Sequence, residues 1–452
     1  MEKFLELANL IVWGAPALVL ILGVGVFLTF RTGFVQIRLF PRAIRLFFRK
    51  LSGDQSDGKV SPVQALCTAL AATVGTGNLI GVAGAISLGG PGSIFWMWVC
   101  GLLGMAVKFG EATLAVRYRV TRNGEHFAGP MYEIRGGLPP RWHWLATAYS
   151  LFGVIAAFGV GNATQINGLL VSVNQTIERF GGTPTKTGNF LMGLALAILV
   201  GTMFLGGARR IGRCAEFLVP FMSCGYLVLC LGVLIVRFSA IPTAFLTIFQ
   251  SAFSPKAITG GVIGSAFSAL RVGVSRGVFT NEAGMGTASI AHGGADAAHP
   301  GEQGMMGIME VFLDTILMCT MTALVILTSG VKIPYGTDVG GILTIAAFVQ
   351  VYGDWVTVFL SFALCCFALA TVLGWGLYGA RCAQYLFGDG AWKIFALLQS
   401  MMVVLAAVMQ TGILWSLAET VNGLMAIPNL IVLAALSPEL KRLTCEYKKF
   451  YG

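Results

Sequence analysis

Thr73-Val74-Gly75-Thr76-Gly77-Asn78 interrupts the apolar run at 62–88 with two glycines, two hydroxyls and a carboxamide. Crossing a bilayer takes about 20 apolar residues, so the interruption falls near the middle of a segment long enough to span. Unwound backbone there frees N–H and C=O groups that lipid cannot satisfy, and it persists only where something polar binds it. The start of a half-helix presents amides and a positive dipole end, which suit a carboxylate; freed carbonyls suit a small hard cation. Thr76 and Gly77 are therefore candidate amide donors to a carboxylate, with Gly75 and Gly77 allowing close approach. Asn78 offers an amide oxygen to a cation, and Thr73 and Val74 offer carbonyls. A carboxylate and a cation bound side by side is what coupled transport requires.

The rest of the chain supports a membrane setting. Of 452 residues, 56% are hydrophobic and 11% charged, against about 25% charged in an ordinary soluble domain. Mean hydropathy is +0.79. The 59 glycines suit transmembrane helices that pack closely or break. Apolar runs at about 9–30, 62–88, 92–116, 144–172, 188–206, 214–236, 257–288, 304–329, 354–380, 391–410 and 413–436 predict eleven spans in an all-α polytopic membrane protein. No stretch is long and polar enough for a separate soluble domain. The ten cysteines lie scattered in apolar stretches without metal-ligand spacing, which predicts buried, inert thiols.

The net charge of +10 is gathered in short clusters between apolar runs, a topology signal and not a nucleic-acid stripe. Arg31, Arg38, Arg42, Arg45, Arg49, Lys50 and Lys59 follow the first span. Taking alternate sides places the loop 117–143, the cluster Arg209, Arg210 and Arg213, and the tail with Lys441, Arg442, Lys448 and Lys449 on that same, cytoplasmic side. The other loops carry few basic residues: Arg179 and Lys186, Arg237 and Lys256, then Lys332. The N-terminus is expected outside and the C-terminus inside. The N-terminus shows no charged region followed by a cleavage site, so its first apolar run reads as a retained span.

The seventh run is also interrupted, by Gly264, Gly273, Gly277, Gly284 and Gly286. Runs two and seven each begin a set of five, 2–6 and 7–11, entering from opposite sides. Paired broken segments at equivalent places in inverted halves point to a transporter binding site; glycines that only permit close packing are the competing reading. The expected organisation is 1–61 for an extra N-terminal helix and basic loop, 62–256 and 257–436 for two five-helix repeats, and 437–452 for a basic tail. Gln165 in the fourth run could read a carboxylate or an amine, or glue two helices. Thr371 and Trp375 share one helix face and could bound a small pocket. Phe267 or Phe279, with Gly273 on the same broken span, complete the candidate walls. Lys108, Glu111, Glu216, Arg271, Glu282 and Asp314 lie in or near spans, where charge is a functional hint; a plain Lys108–Glu111 pair at i,i+3 is the preferred reading. No carboxylate stands out beside Asn78. His292 and His299 read as loop residues, and no metal or Ser/His/Asp arrangement is visible.

The stretches Thr68–Asn78, Leu88–Gly92 and Phe95–Trp98 resemble the alanine/glycine:cation symporter family. So do Gly129–Tyr132, Ser275–Gly284 and Asn422–Asn429. The resemblance spans nearly the whole chain and implies a LeuT-type fold: two inverted five-helix repeats after one extra helix. It implies sodium-driven, less often proton-driven, uptake of alanine or glycine, D-alanine or glutamine in some members. The similarity to broken-helix amino-acid symporters gives a substrate carboxylate to Thr76 and Gly77. It gives one sodium to the Thr73 carbonyl and Asn78, and a second to the Ala71 and Val74 carbonyls with Thr371. It puts Gln165, Thr371 and Trp375 in the substrate pocket. Ala370 stands where a serine commonly precedes Thr371, which removes one hydroxyl.

These readings lead to a prokaryotic inner-membrane symporter for a small neutral amino acid, monomeric, with sodium as coupling ion and no cofactor or nucleic acid. A channel would also use backbone carbonyls but does not need two paired broken helices. An intramembrane enzyme needs a nucleophile–base pair or metal ligands that the sequence does not show.

Overall fold

The computed structural model describes residues 15–51, 60–122, 124–253, 257–259, 262–264, 266–337, 339–409 and 412–451. Lys59, Lys256 and the first residues of the expected first span lie outside them. After α1 (Ala15–Arg31) and the amphipathic, basic α2 (Phe40–Leu51) comes α3 (Pro62–Thr73). Ser61 caps α3 by accepting the Gln64 amide (3.0 Å), and Pro62 pre-sets its first turn. Helix α3 stops at Val74, which is extended, and the chain resumes as α4 (Gly77–Gly89) at an angle of 52°. The break in the second span thus lies where the glycine pair stands.

Helix α5 (Ser93–Tyr118) leads to a small antiparallel hairpin, β1 (Val120–Arg122) and β2 (Glu125–Phe127), and to α6 (Pro130–Gly137). Helices α7 (Trp144–Phe158) and α8 (Thr164–Arg179) are joined through a widened π turn, Gly159–Ala163. Then follow α9 (Lys186–Leu205), α10 (Gly207–Val236) and α11 (Ile241–Phe253).

The seventh apolar run is not helical from its start, as the sequence suggested. It opens as a hairpin, β3 (Ala257–Thr259) with β4 (Val262–Gly264), before α12 (Ala266–Asn281) and the short α13 (Thr287–His292). Its break lies between them. Glu282, Gly284 and Gly286 all have left-handed φ, at 53°, 93° and 78°, a region costly for side chains other than glycine. Helix α14 (Pro300–Thr328) carries a π segment at Phe312–Cys319. The chain ends with α15 (Gly340–Tyr352), the unbroken 32-residue α16 (Val356–Phe387), α17 (Ala391–Val408), α18 (Gly412–Ala435) and α19 (Ser437–Tyr451).

Among the described residues, seven helices are long and apolar enough to cross a membrane, or nine if each of two bent pairs is one span. Burial separates centre from rim. In the most apolar stretch of α5, 83% of residues are buried, and in α16 72%; in α9 only 22% are, so α5 and α16 form the centre and α9 faces outward. Leu205, Phe217 and Ile235 are among the large apolar side chains exposed on the outer helices α9 and α10, as expected where lipid takes the place of a protein neighbour. The cysteines are all free, and most are buried or partly so; Cys224 and Cys445 are exposed, against the expectation for all ten.

Candidate functional site

The α3–α4 break frees backbone groups that the rest of the chain only partly satisfies. The regular ladder ends with Val74 N–H to the Leu70 carbonyl (2.7 Å), and the Gly75 amide turns to Asn78 Oδ1 (2.9 Å). Among the described residues, the amides of Thr76 and Gly77 and the carbonyls of Ala71, Thr73 and Val74 make no hydrogen bond. Unpaired buried backbone groups are rare in folded proteins. Their concentration in one turn marks a place for a polar ligand.

A cavity of about 560 Å³ opens onto this turn and is lined by Thr76, Gly77, Gln165, Gln175, Arg276 and Phe279, among others. Gln165 sits at the start of α8, just after the π turn. Its Oε1 accepts from Thr76 Oγ1 (3.0 Å), and its Nε2 donates to the Val160 carbonyl (3.2 Å). The broken span and the fourth span therefore meet at the cavity floor through one carboxamide.

Thr371 and Trp375, one turn apart on α16, are both buried and lie beneath this floor. A methyl group added at Gly75 would come within 2.8 Å of Thr371 Oγ1. That hydroxyl has no partner among the described residues, and it lies against the turn whose carbonyls are free. Trp375 does not line the cavity. Its ring packs on Gly161 of the π turn, and its indole N–H donates to Glu282 Oε1 (2.8 Å), so it ties α16 to the second break.

Two further expected wall residues are elsewhere. Phe267 is 70% exposed at the start of α12. At Gly273 a methyl group would come within 2.3 Å of the Ser93 carbonyl oxygen, so its α-carbon packs tightly on α5. Both follow from helix phase: α12 turns Phe279 toward the cavity, and its other faces meet α4, α5 or the outside.

Asn78 is held from α14. Its Nδ2 donates to Asp314 Oδ1 (2.8 Å) and to the Asp314 carbonyl (3.0 Å), and the other carboxylate oxygen accepts from Thr315 (2.8 Å). Asp314 is fully buried. A carboxylate does stand beside Asn78, contrary to the sequence reading, and intramembrane charge was the signal that could have found it.

Below this level lies a second buried polar group. Lys108 pairs not with Glu111 but with Glu310 (2.7 Å), whose other oxygen meets His292 Nε2 (2.9 Å). His292 is therefore no loop residue; it ends α13, and its Nδ1 faces Gln303 (2.6 Å). A separate cavity of about 90 Å³ lies between Thr68 of α3, Ile290 and Ala291 of α13, and Leu377 and Arg381 of α16. The hairpin β1–β2 covers it. Arg381 donates to Glu125 Oε2 (3.1 Å) and stands 4.3 Å over the Phe127 ring. Among the described residues no group of three or more metal-ligating side chains occurs.

A family model described as the sodium:alanine symporter family matches residues 1–451. The sodium/alanine symporter AgcS of Methanococcus maripaludis is 44% identical over 445 residues, 96% of this chain and 95% of that protein. The probable sodium/glutamine symporter GlnT of Bacillus subtilis is 35% identical, with 97% and 88% covered. Among solved structures, MhsT in complex with L-phenylalanine superposes with a TM-score of 0.58 at 12% identity, over 86% of this chain and 98% of that one. That likeness speaks for the fold alone.

Proposed function

The chain belongs to the sodium:alanine symporter family, a multi-pass membrane transporter family, and from that premise we propose that it carries alanine or glycine into the cell together with sodium. The observation that carries this reading is the pair of unbonded amides at Thr76 and Gly77, residues that line the cavity beside Gln165. A substrate carboxylate accepts from those amides. Sodium is offered an all-oxygen set of the kind hard cations take: the Thr73 carbonyl with the carboxamide oxygen of Asn78 for one ion, and the Ala71 and Val74 carbonyls with Thr371 Oγ1 for a second. Asp314 holds the Asn78 carboxamide in place beside that set.

The reading extends to topology: eleven spans as two inverted sets of five after one extra helix, in the inner membrane of a prokaryote as a monomer. The basic clusters put the N-terminus outside and the C-terminus in the cytoplasm. In that orientation the 560 Å³ cavity opens outward and the hairpin-covered cavity faces the cytoplasm. Glutamine is a second reading, favoured by Asn167 and Gln175 along the cavity and by the glutamine symporter among the relatives.

The test is labelled alanine uptake into proteoliposomes, with competing amino acids, in sodium or choline, with and without a protonophore. Saturable, sodium-dependent uptake that survives the protonophore and is blocked by alanine and glycine is expected. Competition by glutamine above both would favour the second reading. Uptake indifferent to choline but lost with the protonophore would mean proton coupling, and uncoupled sodium flux a channel.

A further inference from the structure

The molecule has two breaks, and they differ in what fills them. At the first, the amides of Thr76 and Gly77, two residues that line the cavity, make no hydrogen bond. At the second, the amides of Gly284 and Gly286 both donate to Glu111 Oε1, at 2.9 and 3.0 Å. Asn429 Nδ2, from α18, donates to the same oxygen (2.7 Å) and also to the Gly284 carbonyl (2.9 Å). Three N–H groups from two elements thus converge on one carboxylate oxygen of α5. Glu111 and Asn429 are both fully buried.

We propose that Glu111 is a built-in ligand of the second break: a positioning residue whose carboxylate takes the place there that a substrate carboxylate takes at the first, and so holds α13 in the inward-closed position. The mechanical consequence follows from where α13 sits. Its residues Ile290 and Ala291 form one wall of the small inner cavity, opposite Thr68 and Leu377. Ser289 of α13 also donates to the Glu111 backbone carbonyl (3.1 Å), so one residue of α5 holds both the break and the helix after it. With left-handed φ at three positions, the break has no regular hydrogen-bond ladder of its own. Removing the carboxylate's charge weakens three charge-assisted bonds at once. Helix α13 is then freed to leave α3 and α16, and the balance of conformations moves from outward-open to inward-open.

The inference rests on the transporter reading, and its test needs no substrate. Cysteines are placed singly at Ala291, on the inner cavity, and at Gln175, on the outer one. Each is compared with the same background lacking it, and labelled with a small thiol reagent in purified full-length protein. With Glu111→Gln added, labelling at Ala291→Cys should speed up at least fivefold while labelling at Gln175→Cys slows. Asn429→Ala, which removes one donor without touching Glu111, should move both sites in the same directions by less. General loosening or misfolding would speed labelling at both sites and overturn the proposal, as would unchanged rates at both. Absent alanine uptake by the wild type would remove the proposed function but leave these rates as they are.

Discussion

At the scale of single residues, Gln165 carries the most specific expectation. Its carboxamide joins Thr76 of the broken span to the π turn ahead of α8, at the floor of the outer cavity. A neutral amide suits that place, because a charge left without a partner there would cost more to desolvate. Loss of a hydrogen bond to a charged head group is worth about 1.5–3 kcal/mol, and 1.4 kcal/mol is about tenfold in affinity. Gln165→Ala should therefore weaken alanine binding about ten- to a hundredfold at unchanged membrane expression, measured by equilibrium binding. Near wild-type affinity would reduce Gln165 to a helix-packing residue. Gln165, Thr76 and Gly77 were legible in the sequence because polar groups within apolar runs need a reason. Phe267 and Gly273 were misjudged because α12 is apolar on several faces, so composition does not fix which side meets the cavity. Trp375 was expected in the pocket wall but bonds to Glu282 instead, which lies 93 positions earlier in the chain, a distance that no local pattern encodes.

At the scale of elements, the first break was readable and the second was not. The first is written locally, in Gly75 and Gly77 flanked by threonines. Glycines recur along the seventh run at 264, 273, 277, 284 and 286, so they do not single out one turn; the break falls at 282–286, where Glu111 and Asn429 bind the backbone. The hairpin β1–β2 left no signal either: three-residue strands are too short for alternation to show. Helices α11 and α15, of 13 residues each, fall below the length that marks a span.

The hairpin invites its own comparison of magnitudes. The Arg381–Glu125 pair is exposed on the glutamate side, at 59%, and exposed ion pairs contribute roughly 0–1 kcal/mol. Phe127 is buried under the same guanidinium, and cation–π contact with burial reaches about 2 kcal/mol. Phe127→Ala should thus raise thiol labelling at Ala291→Cys severalfold, and Glu125→Gln less than twofold. The reverse ranking would make the ion pair, not the ring, the seal.

At the scale of the whole molecule, the proposed orientation rests on the distribution of basic residues. A cysteine at Arg45 should react with an impermeant thiol reagent only after lysis, and one at Lys332 in intact cells whose outer membrane has been permeabilised. The opposite pattern would turn the outward cavity into a cytoplasmic one. The plugged second break has one more consequence, and it is electrical. With Glu111 already seated on its amides, the second break receives no substrate carboxylate, and the first takes one amino acid per crossing. Alanine crosses as a zwitterion and moves no net charge. The current that accompanies each molecule taken up is then a direct count of the sodium ions that travel with it.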